Sequence, residues 1–287
     1  MSCGVKNKDP KAGDVKEIAV TIEPLRYFAE QIAGDRYRFF SVVPVGQSPE
    51  TYDPSPREMM RVGNGVAYFH IGRLGFEPVM VHFIRENNAN AYPFDLSDGM
   101  VFHEDACSSH DHDSGSYDHN HGHDGHDPHI WTSFKGAKVI SENILKALTS
   151  LDKENQPCYQ SNYSRLVQRL DSLEETLHKQ LENLSCRSFV IYHPALTYFA
   201  DEFGLKQYSI ENDGKEPSPA LLKRLIEETN AEKVGIVFVQ MEFDRKHAEQ
   251  IAREIDAKTV IINPLDYQWD KQMEIIAKAL AGNGKTD

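Results

Sequence analysis

The stretch from Cys158 to Cys186 constrains the fold more than any other part of the sequence. CYQSNYSRLVQRLDSLEETLHKQLENLSC contains neither proline nor glycine, and its leucines recur at steps of three and four residues. This spacing places the leucines along one side of a single helix. A helix of about 28 residues is about 42 Å long, which is more than one small domain needs. The stretch is therefore either a coiled-coil seam or a spine that joins two lobes.

Strand and helix patterns alternate on both sides of this stretch. Short apolar runs such as KEIAVTI, AYFHIG and SFVIYH read as strands, and segments such as PLRYFAEQIAG and SPALLKRLIEETN have helical spacing. Ser55 and Ser218 each precede a proline at the start of a helical segment, as helix caps do. Such alternation is typical of a parallel sheet covered by helices. The predicted fold class is α/β, with two lobes that flank one long helix.

Changes in these patterns suggest four segments. Residues 1–15 form a polar lead, and residues 16–156 form an N-terminal α/β lobe. Residues 157–186 form the linking helix, and residues 187–287 form a C-terminal α/β lobe. Within the first lobe, residues 103–126 form a loop.

Charge and hydropathy argue against nucleic-acid binding and against a membrane-spanning helix. The net charge of −13 argues against nucleic acid, because phosphate contacts need clustered Lys and Arg side chains. No apolar run reaches the about 20 residues that span a bilayer. The N-terminal MSCGVKNKDPKAGD also has no apolar signal core.

The cysteines give limited information. The chain has no CxxC pair, so a cysteine zinc site is not expected. Cys158 and Cys186 lie near opposite ends of the predicted helix, which makes a disulfide between them geometrically implausible. Cys3-Gly4 looks like the mature start of a bacterial lipoprotein, in which Cys3 carries lipid. The alternative is an unmodified N-terminal cysteine.

Eight of the thirteen histidines fall between His103 and Trp131. The stretch is rich in His, Asp, Gly and Ser and poor in apolar residues, so we expect a mobile loop that captures metal weakly. The alternative interpretation is a loop that is hydrophilic but does not capture metal. The expected capture residues are His103, His110, His112, His119, His121, His123 and His126.

A tight site needs a few ligands that are held rigidly, so it is expected outside the loop. His129 ends the tract in DPHIWTS, where Trp131 is expected to fix its position. His193 in VIYHPA and Glu50 in PVGQSPETYDPSP each follow a predicted strand, and ligands of α/β sheets collect at strand ends. Glu216 and Glu242 are interpreted as solvated loop carboxylates.

The chain resembles the metal-binding receptors of ATP-driven zinc and manganese importers over nearly all of residues 17–285. The family has two α/β lobes joined by one long helix, with the metal in the cleft between the lobes. Zinc-specific members often carry a His/Asp-rich loop before DPHIW. The resemblance is carried by TIEPLRYFAEQIAGD, PVGQSPETYDPSP, DPHIWTS, YHPALTYFADEFGLKQ, SPALLKRLIEE, VGIVFVQMEFDRKHAEQIAREI and IINPL.

The resemblance implies a first shell of Glu50, His129 and His193. The two histidines stand at family ligand positions, whereas Glu50 replaces the histidine that usually follows SP. Asn263 stands where the family often has Asp, and Asp266 or a water is an alternative fourth donor. Two imidazoles favour a transition metal over Mg²⁺ or Ca²⁺. Zinc is expected first and manganese or iron second, while copper and nickel remain open.

The resemblance therefore implies a monomeric, non-enzymatic receptor in the periplasm or at the cell surface. It would capture zinc and deliver it to a membrane permease that works with an ATPase. Two alternatives are a zinc-dependent hydrolase and a surface metal buffer or adhesin without a transport partner. The hydrolase is considered because two histidines, one carboxylate and an open position also suit catalytic zinc. No HExxH motif supports it.

Overall fold

The computed structural model describes residues 16–87, 91–103, 126–211 and 218–282. Predictions for residues outside these ranges stay predictions. Among the residues with a prediction, those outside the ranges are Cys3, His110, His112, His119, His121, His123 and Glu216.

The chain divides into two compact units, and each is built on one parallel sheet. The first unit takes the chain up to Met100 together with Ala137–Leu170. The second takes Val101–Gly136 and the chain from Asp171 onward. The predicted combination of two helix-flanked parallel sheets and one long helix is confirmed.

In the first unit the strands follow the order β2-β1-β3-β4 and are all parallel. The strands are β1 (Glu17–Val20), β2 (Arg38–Ser41), β3 (Ala67–His70) and β4 (Tyr92–Asp95). The helices are α1 (Glu23–Ala33), α2 (Pro56–Gly63), α3 (Glu77–Asn87), most of α4 (Phe134–Leu151) and the first part of α5 (Gln156–Leu181).

The second unit repeats this strand order as β6-β5-β7-β8, again with parallel pairing. Its strands are β5 (Ser188–Ile191), β6 (Lys206–Ser209), β7 (Ile236–Gln240) and β8 (Lys258–Ile262). Besides the last part of α5, its helices are α6 (Thr197–Glu202), α7 (Pro219–Ala231), α8 (Arg245–Glu254) and α9 (Trp269–Gly282).

Burial explains why the strand segments read as short apolar runs. All residues of the central strands β1, β3, β5 and β7 except Glu17 are buried, as expected for strands covered by helices on both faces. The edge strands β4 and β6 contain exposed residues. The covered sheets place the carboxyl ends of the strands, and the loops that follow them, at one edge of each unit.

The predicted helix starts at Ser55 and Ser218 are confirmed. The Ser55 hydroxyl accepts a hydrogen bond from the Glu58 N–H at 3.4 Å, and the Glu58 carboxylate accepts one from the Ser55 N–H at 2.7 Å. This reciprocal pair is a capping box. The Ser218 hydroxyl accepts from the Leu221 N–H at 3.3 Å. Both helices also begin with proline, whose missing N–H costs nothing at that position.

The long helix α5 differs from the prediction at both ends. It begins at Gln156 and ends at Leu181, before Cys186. Cys158 and Cys186 are both free thiols, as expected. None of the helices in the described ranges combines the length and apolar character needed to cross a bilayer.

Candidate metal centre

Three neighbouring strands of the second unit bring polar side chains to one edge of its sheet. His193 follows the central strand β5, Glu211 follows β6, and Gln240 is the last residue of β7. The Gln240 amide accepts a hydrogen bond from the His193 N–H at 3.3 Å and donates one to the His193 carbonyl at 2.6 Å. These bonds fix the backbone of His193 at the strand end, where open α/β sheets gather their ligands.

His129 is held by the segment that follows it. A 3-10 turn, Ile130–Thr132, begins directly after it, and the Thr132 hydroxyl donates to the His129 carbonyl at 2.8 Å. The Trp131 indole N–H donates to the Pro264 carbonyl at 3.0 Å, and the Trp269 indole N–H donates to the Trp131 carbonyl at 2.6 Å. The predicted role of Trp131 in fixing this segment is therefore confirmed.

The structure brings the two imidazoles together in the second unit. The Nε2 atoms of His129 and His193 lie 3.3 Å apart, and the ring centroids are 5.1 Å apart. His129 is 5% exposed and His193 is 8% exposed. Two nitrogens bound to one tetrahedral zinc at about 2.0–2.1 Å lie about 3.3 Å from each other. The observed spacing therefore matches that of two nitrogen ligands of one zinc ion.

The opposite nitrogen of His129 faces a buried carboxylate. Asp127 Oδ1 lies 2.8 Å from His129 Nδ1 and accepts a second hydrogen bond from the His129 backbone N–H at 2.8 Å. Burial opposes ionisation of Asp127, but its electrostatic attraction to His129 and its hydrogen bonds with His129 and Thr197 outweigh it, so the Asp127 pKa lies below its ordinary value. The ionised carboxylate favours a proton on Nδ1 and leaves the Nε2 lone pair available to a metal.

His193 has a similar partner on the other side. Its Nδ1 lies 3.4 Å from Glu211 Oε1, and Glu211 is buried. When both Nδ1 atoms carry the proton, two Nε2 lone pairs face each other across 3.3 Å. This arrangement is repulsive until a proton or a cation lies between the nitrogens. A divalent cation removes the repulsion and uses both lone pairs.

Aromatic rings border the two histidines within the second unit. Trp131 lies against His129 with ring centroids 5.1 Å apart, and Phe243 stacks on His193 at 5.4 Å with an interplanar angle of 25°. These rings limit rotation of the imidazoles and reduce the access of water. Rigid side chains in a partly apolar setting are what a tight metal site requires.

The other predicted ligands are Glu50, which belongs to the first unit, and Asn263 and Asp266, which belong to the second. Glu50 is half-buried in the loop after β2 in the first unit, and its backbone N–H donates to the Ser48 hydroxyl at 3.4 Å. Asn263 and Asp266 form the turn before α9, where the Leu265 N–H donates to Asn263 Oδ1 at 3.2 Å. The Asn263 amide donates to Asp266 Oδ2 at 3.4 Å. Their roles as ligands stay predictions.

Two of the predicted capture histidines and one loop carboxylate are described. His103 Nε2 lies 3.6 Å from the Asp201 carboxylate, with the side chain 39% exposed. His126 is half-buried, and its ring lies 6.0 Å from that of Phe102. Glu242 is half-buried in the turn after β7. The weak capture function assigned to the loop stays a prediction.

Sequence reasoning missed Asp127, Glu211 and Gln240, which support the histidines. Asp127 could have been found from its place in DPHIW, because a carboxylate two residues before a ligand histidine can reach its ring. Glu211 and Gln240 are distant from His193 in sequence. Only the order β6-β5-β7 brings them together.

Comparison with known proteins is consistent with this geometry. The family described as "ZnuA: Zinc-uptake complex component A periplasmic" matches residues 18–281. The zinc-binding lipoprotein AdcA of Streptococcus pneumoniae R6 is 25% identical over 257 residues, which are 87% of this chain and 50% of AdcA. The chain therefore spans about half the length of that curated relative.

Two further proteins are similar along most of their own length. The high-affinity zinc uptake system protein ZnuA of Bacillus subtilis 168 is 26% identical over 270 residues, which are 92% of this chain and 84% of that protein. A crystal structure of ZnuA has a TM-score of 0.84 at 32% identity, and the match covers 94% of this chain and 100% of that one.

Proposed function

Because the chain belongs to the family of ZnuA, component A of periplasmic zinc-uptake complexes, we propose that it is the extracytoplasmic receptor of an ATP-driven metal importer. It captures a divalent transition metal and delivers it to the membrane permease. Zinc is the preferred cargo, ahead of manganese and iron. The role is binding and transfer, with no chemical step.

The pair of buried imidazoles carries this proposal. His129 and His193 present Nε2 atoms 3.3 Å apart, and each Nδ1 faces a buried carboxylate. Imidazole nitrogen is a ligand for zinc and its neighbours in the first transition series, and a carboxylate behind it makes it a better donor. The two supporting carboxylates add negative charge close to a divalent cation.

Glu50 is proposed as the third ligand. The support comes from sequence, since Glu50 follows SP at the position where family members usually have histidine. A carboxylate oxygen binds zinc at about 2.0–2.2 Å, so the replacement keeps a usable donor. Asn263, Asp266 or a water completes the shell.

Isothermal titration calorimetry with zinc tests the proposal. We expect the double variant His129→Ala/His193→Ala to lose tight binding, because both nitrogen donors are removed. The control is His82→Ala, which removes an exposed imidazole on α3 and should leave the affinity unchanged. Tight binding that survives the double variant would show that the site lies elsewhere.

Deletion of residues 103–126 separates the tight site from the histidine-rich loop. We expect a lower stoichiometry of bound zinc and one remaining tight site. If the tight site disappeared with the loop but survived in His129→Ala/His193→Ala, the assignment to His129 and His193 would be wrong.

Transport separates the receptor from its two alternatives. Proteoliposomes that contain the permease and its ATPase should take up zinc only when this protein is added with the metal. A metal buffer would bind zinc without supporting uptake. A hydrolase would instead turn over ester or peptide substrates in a zinc-dependent manner. Extracytoplasmic location follows from the proposed role, and lipid attachment at Cys3 stays a prediction from the sequence.

A further inference from the structure

Tyr198 connects two parts of the second unit that are distant in sequence. It lies on α6 and is 3% exposed. Its hydroxyl accepts a hydrogen bond from the His103 backbone N–H at 3.2 Å and donates one to the Asp127 carbonyl at 2.7 Å. A single oxygen thus holds the chain on both sides of the histidine tract.

The Asp127 end of this connection leads to the candidate metal centre. The Asp127 backbone N–H also donates to the His103 carbonyl at 3.1 Å, so both polar groups of this backbone position are fixed. The Asp127 carboxylate in turn accepts from the backbone N–H and Nδ1 of His129. The hydroxyl of Tyr198 is therefore separated from the imidazole of His129 by one residue only.

The ring of Tyr198 has a separate role from its hydroxyl. It lies against the His103 ring at a centroid distance of 4.7 Å, within a buried part of α6. Phenylalanine would retain this aromatic contact and the filled volume. The two hydrogen bonds of the hydroxyl would be lost, so their effect on His129 can be measured separately from packing.

We propose that Tyr198 is a positioning residue for His129 and acts through Asp127. The inference rests on the proposed function, since it assumes that His129 binds the metal. Without the hydroxyl, the buried carbonyl of Asp127 loses its donor and the backbone can shift to find another. Because a metal ligand has to stay within about 0.5 Å of its productive position, a small shift of Asp127 weakens binding.

Tyr208 provides a matched control in the same unit. It lies on β6 and is 8% exposed. Its hydroxyl also accepts from one nitrogen, Lys206 Nζ, and donates to one oxygen, Glu232 Oε1 at 2.8 Å. Tyr208→Phe therefore also removes one accepted and one donated hydrogen bond from a buried tyrosine, here with the charged side chains of Lys206 and Glu232. No hydrogen bond described for Tyr208 leads to either histidine.

The experiment compares the two variants in three measurements. Urea unfolding of the metal-free proteins reports stability, competition with a chromophoric chelator reports the zinc Kd, and the visible spectrum of the Co²⁺ form reports ligand geometry. We expect both variants to be less stable than the wild type. Only Tyr198→Phe should raise the zinc Kd, by about tenfold, and change the Co²⁺ spectrum. Replacing Tyr198 by 4-aminophenylalanine keeps a donor and should restore the affinity.

The outcomes distinguish failure of the proposed role of Tyr198 from failure of the proposed function. If Tyr198→Phe changes the zinc Kd and the Co²⁺ spectrum no more than Tyr208→Phe does, Tyr198 has only a structural role and the inference is wrong. Failure of 4-aminophenylalanine to restore the affinity also overturns it. If the wild type does not bind zinc tightly, or His129→Ala/His193→Ala binds it equally well, the proposed function itself fails.

Discussion

At the scale of single residues, each of the two imidazoles has a buried carboxylate facing its Nδ1 atom. A histidine binds zinc through a neutral ring, and the group on the opposite nitrogen decides which tautomer is present. Asp127 stays ionised although it is buried, because its contacts with His129 lower its pKa. The carboxylate therefore orients the ring and places a negative charge on the side of it opposite Nε2.

Asp127→Asn should weaken zinc binding by about 10-fold to 100-fold, since a neutral amide orients the ring without the negative charge. The measurement is a zinc titration in competition with a chelator. Asp152→Asn is the control, because Asp152 is also a carboxylate with a lowered pKa and accepts from the Tyr159 hydroxyl at 2.9 Å. An equal loss of affinity in both variants would contradict the role of Asp127.

The sequence allowed some of the site residues to be predicted. His129 and His193 stand in DPHIW and YHPALTYFADEFGL, whose local patterns are specific. Glu211 and Gln240 carry no such pattern, and their meaning depends on strand order in the folded sheet. Tyr198 lies within a recognised segment, yet its hydrogen bonds to His103 and Asp127 could not be predicted from spacing.

At the level of elements, the start of α4 constrains the segment that carries His129. A Cβ atom added at Gly136 would lie 1.8 Å from the Ile130 carbonyl oxygen and 3.0 Å from the Ser133 hydroxyl. The 3-10 turn Ile130–Thr132 therefore packs directly on the first turn of the helix. Glycine is required here for close approach, although it is a poor helix former elsewhere.

Gly136→Ala should destabilise the protein by about 1–3 kcal/mol, because the backbone has to move to admit the methyl group. This loss should outweigh the gain of about 1 kcal/mol that alanine brings to an unstrained helix. Urea unfolding measures the change. Gly282→Ala on α9 is the control, since a Cβ there meets no atom within 4 Å, and it should be neutral or stabilising. Equal stability of Gly136→Ala and the wild type would contradict the close packing.

The elements themselves were largely predictable, and the exceptions have physical reasons. Buried strands and capped helices such as α2 and α7 have clear local signals. The strand β4, with sequence YPFD, is a partly exposed edge strand that contains proline, and α3 has an irregular apolar pattern. Neither was predicted. The end of α5 at Leu181 was also missed, because the leucine spacing continues to Leu184 beyond the end of the helix.

For the whole molecule, the division into units determines how metal binding can be followed. His129 and His193 belong to the second unit, whereas Glu50 belongs to the first. A ligand that binds only the folded state stabilises it by about 4 kcal/mol at a thousandfold excess over Kd. The distribution of that stabilisation shows which unit supplies ligands.

Hydrogen–deuterium exchange with and without zinc should show this distribution. We expect zinc to slow exchange at Ile130–Thr132 and β5 in the second unit, because these segments flank the proposed ligands His129 and His193. If Glu50 is the third ligand, exchange in the loop after β2 should slow as well. The variant Glu50→Gln should lose the effect in the first unit and keep it in the second. Unchanged protection of that loop in Glu50→Gln would show that Glu50 is not a ligand.

The reciprocal hydrogen bonds of Trp131 and Trp269 also have a practical consequence. These are the only two tryptophans in the sequence. Each indole N–H is bonded to the segment that carries the other, and the Trp131 ring lies 5.1 Å from that of His129. One of the two tryptophan fluorophores of the protein therefore lies next to an imidazole, and its emission gives a label-free optical record of what happens there.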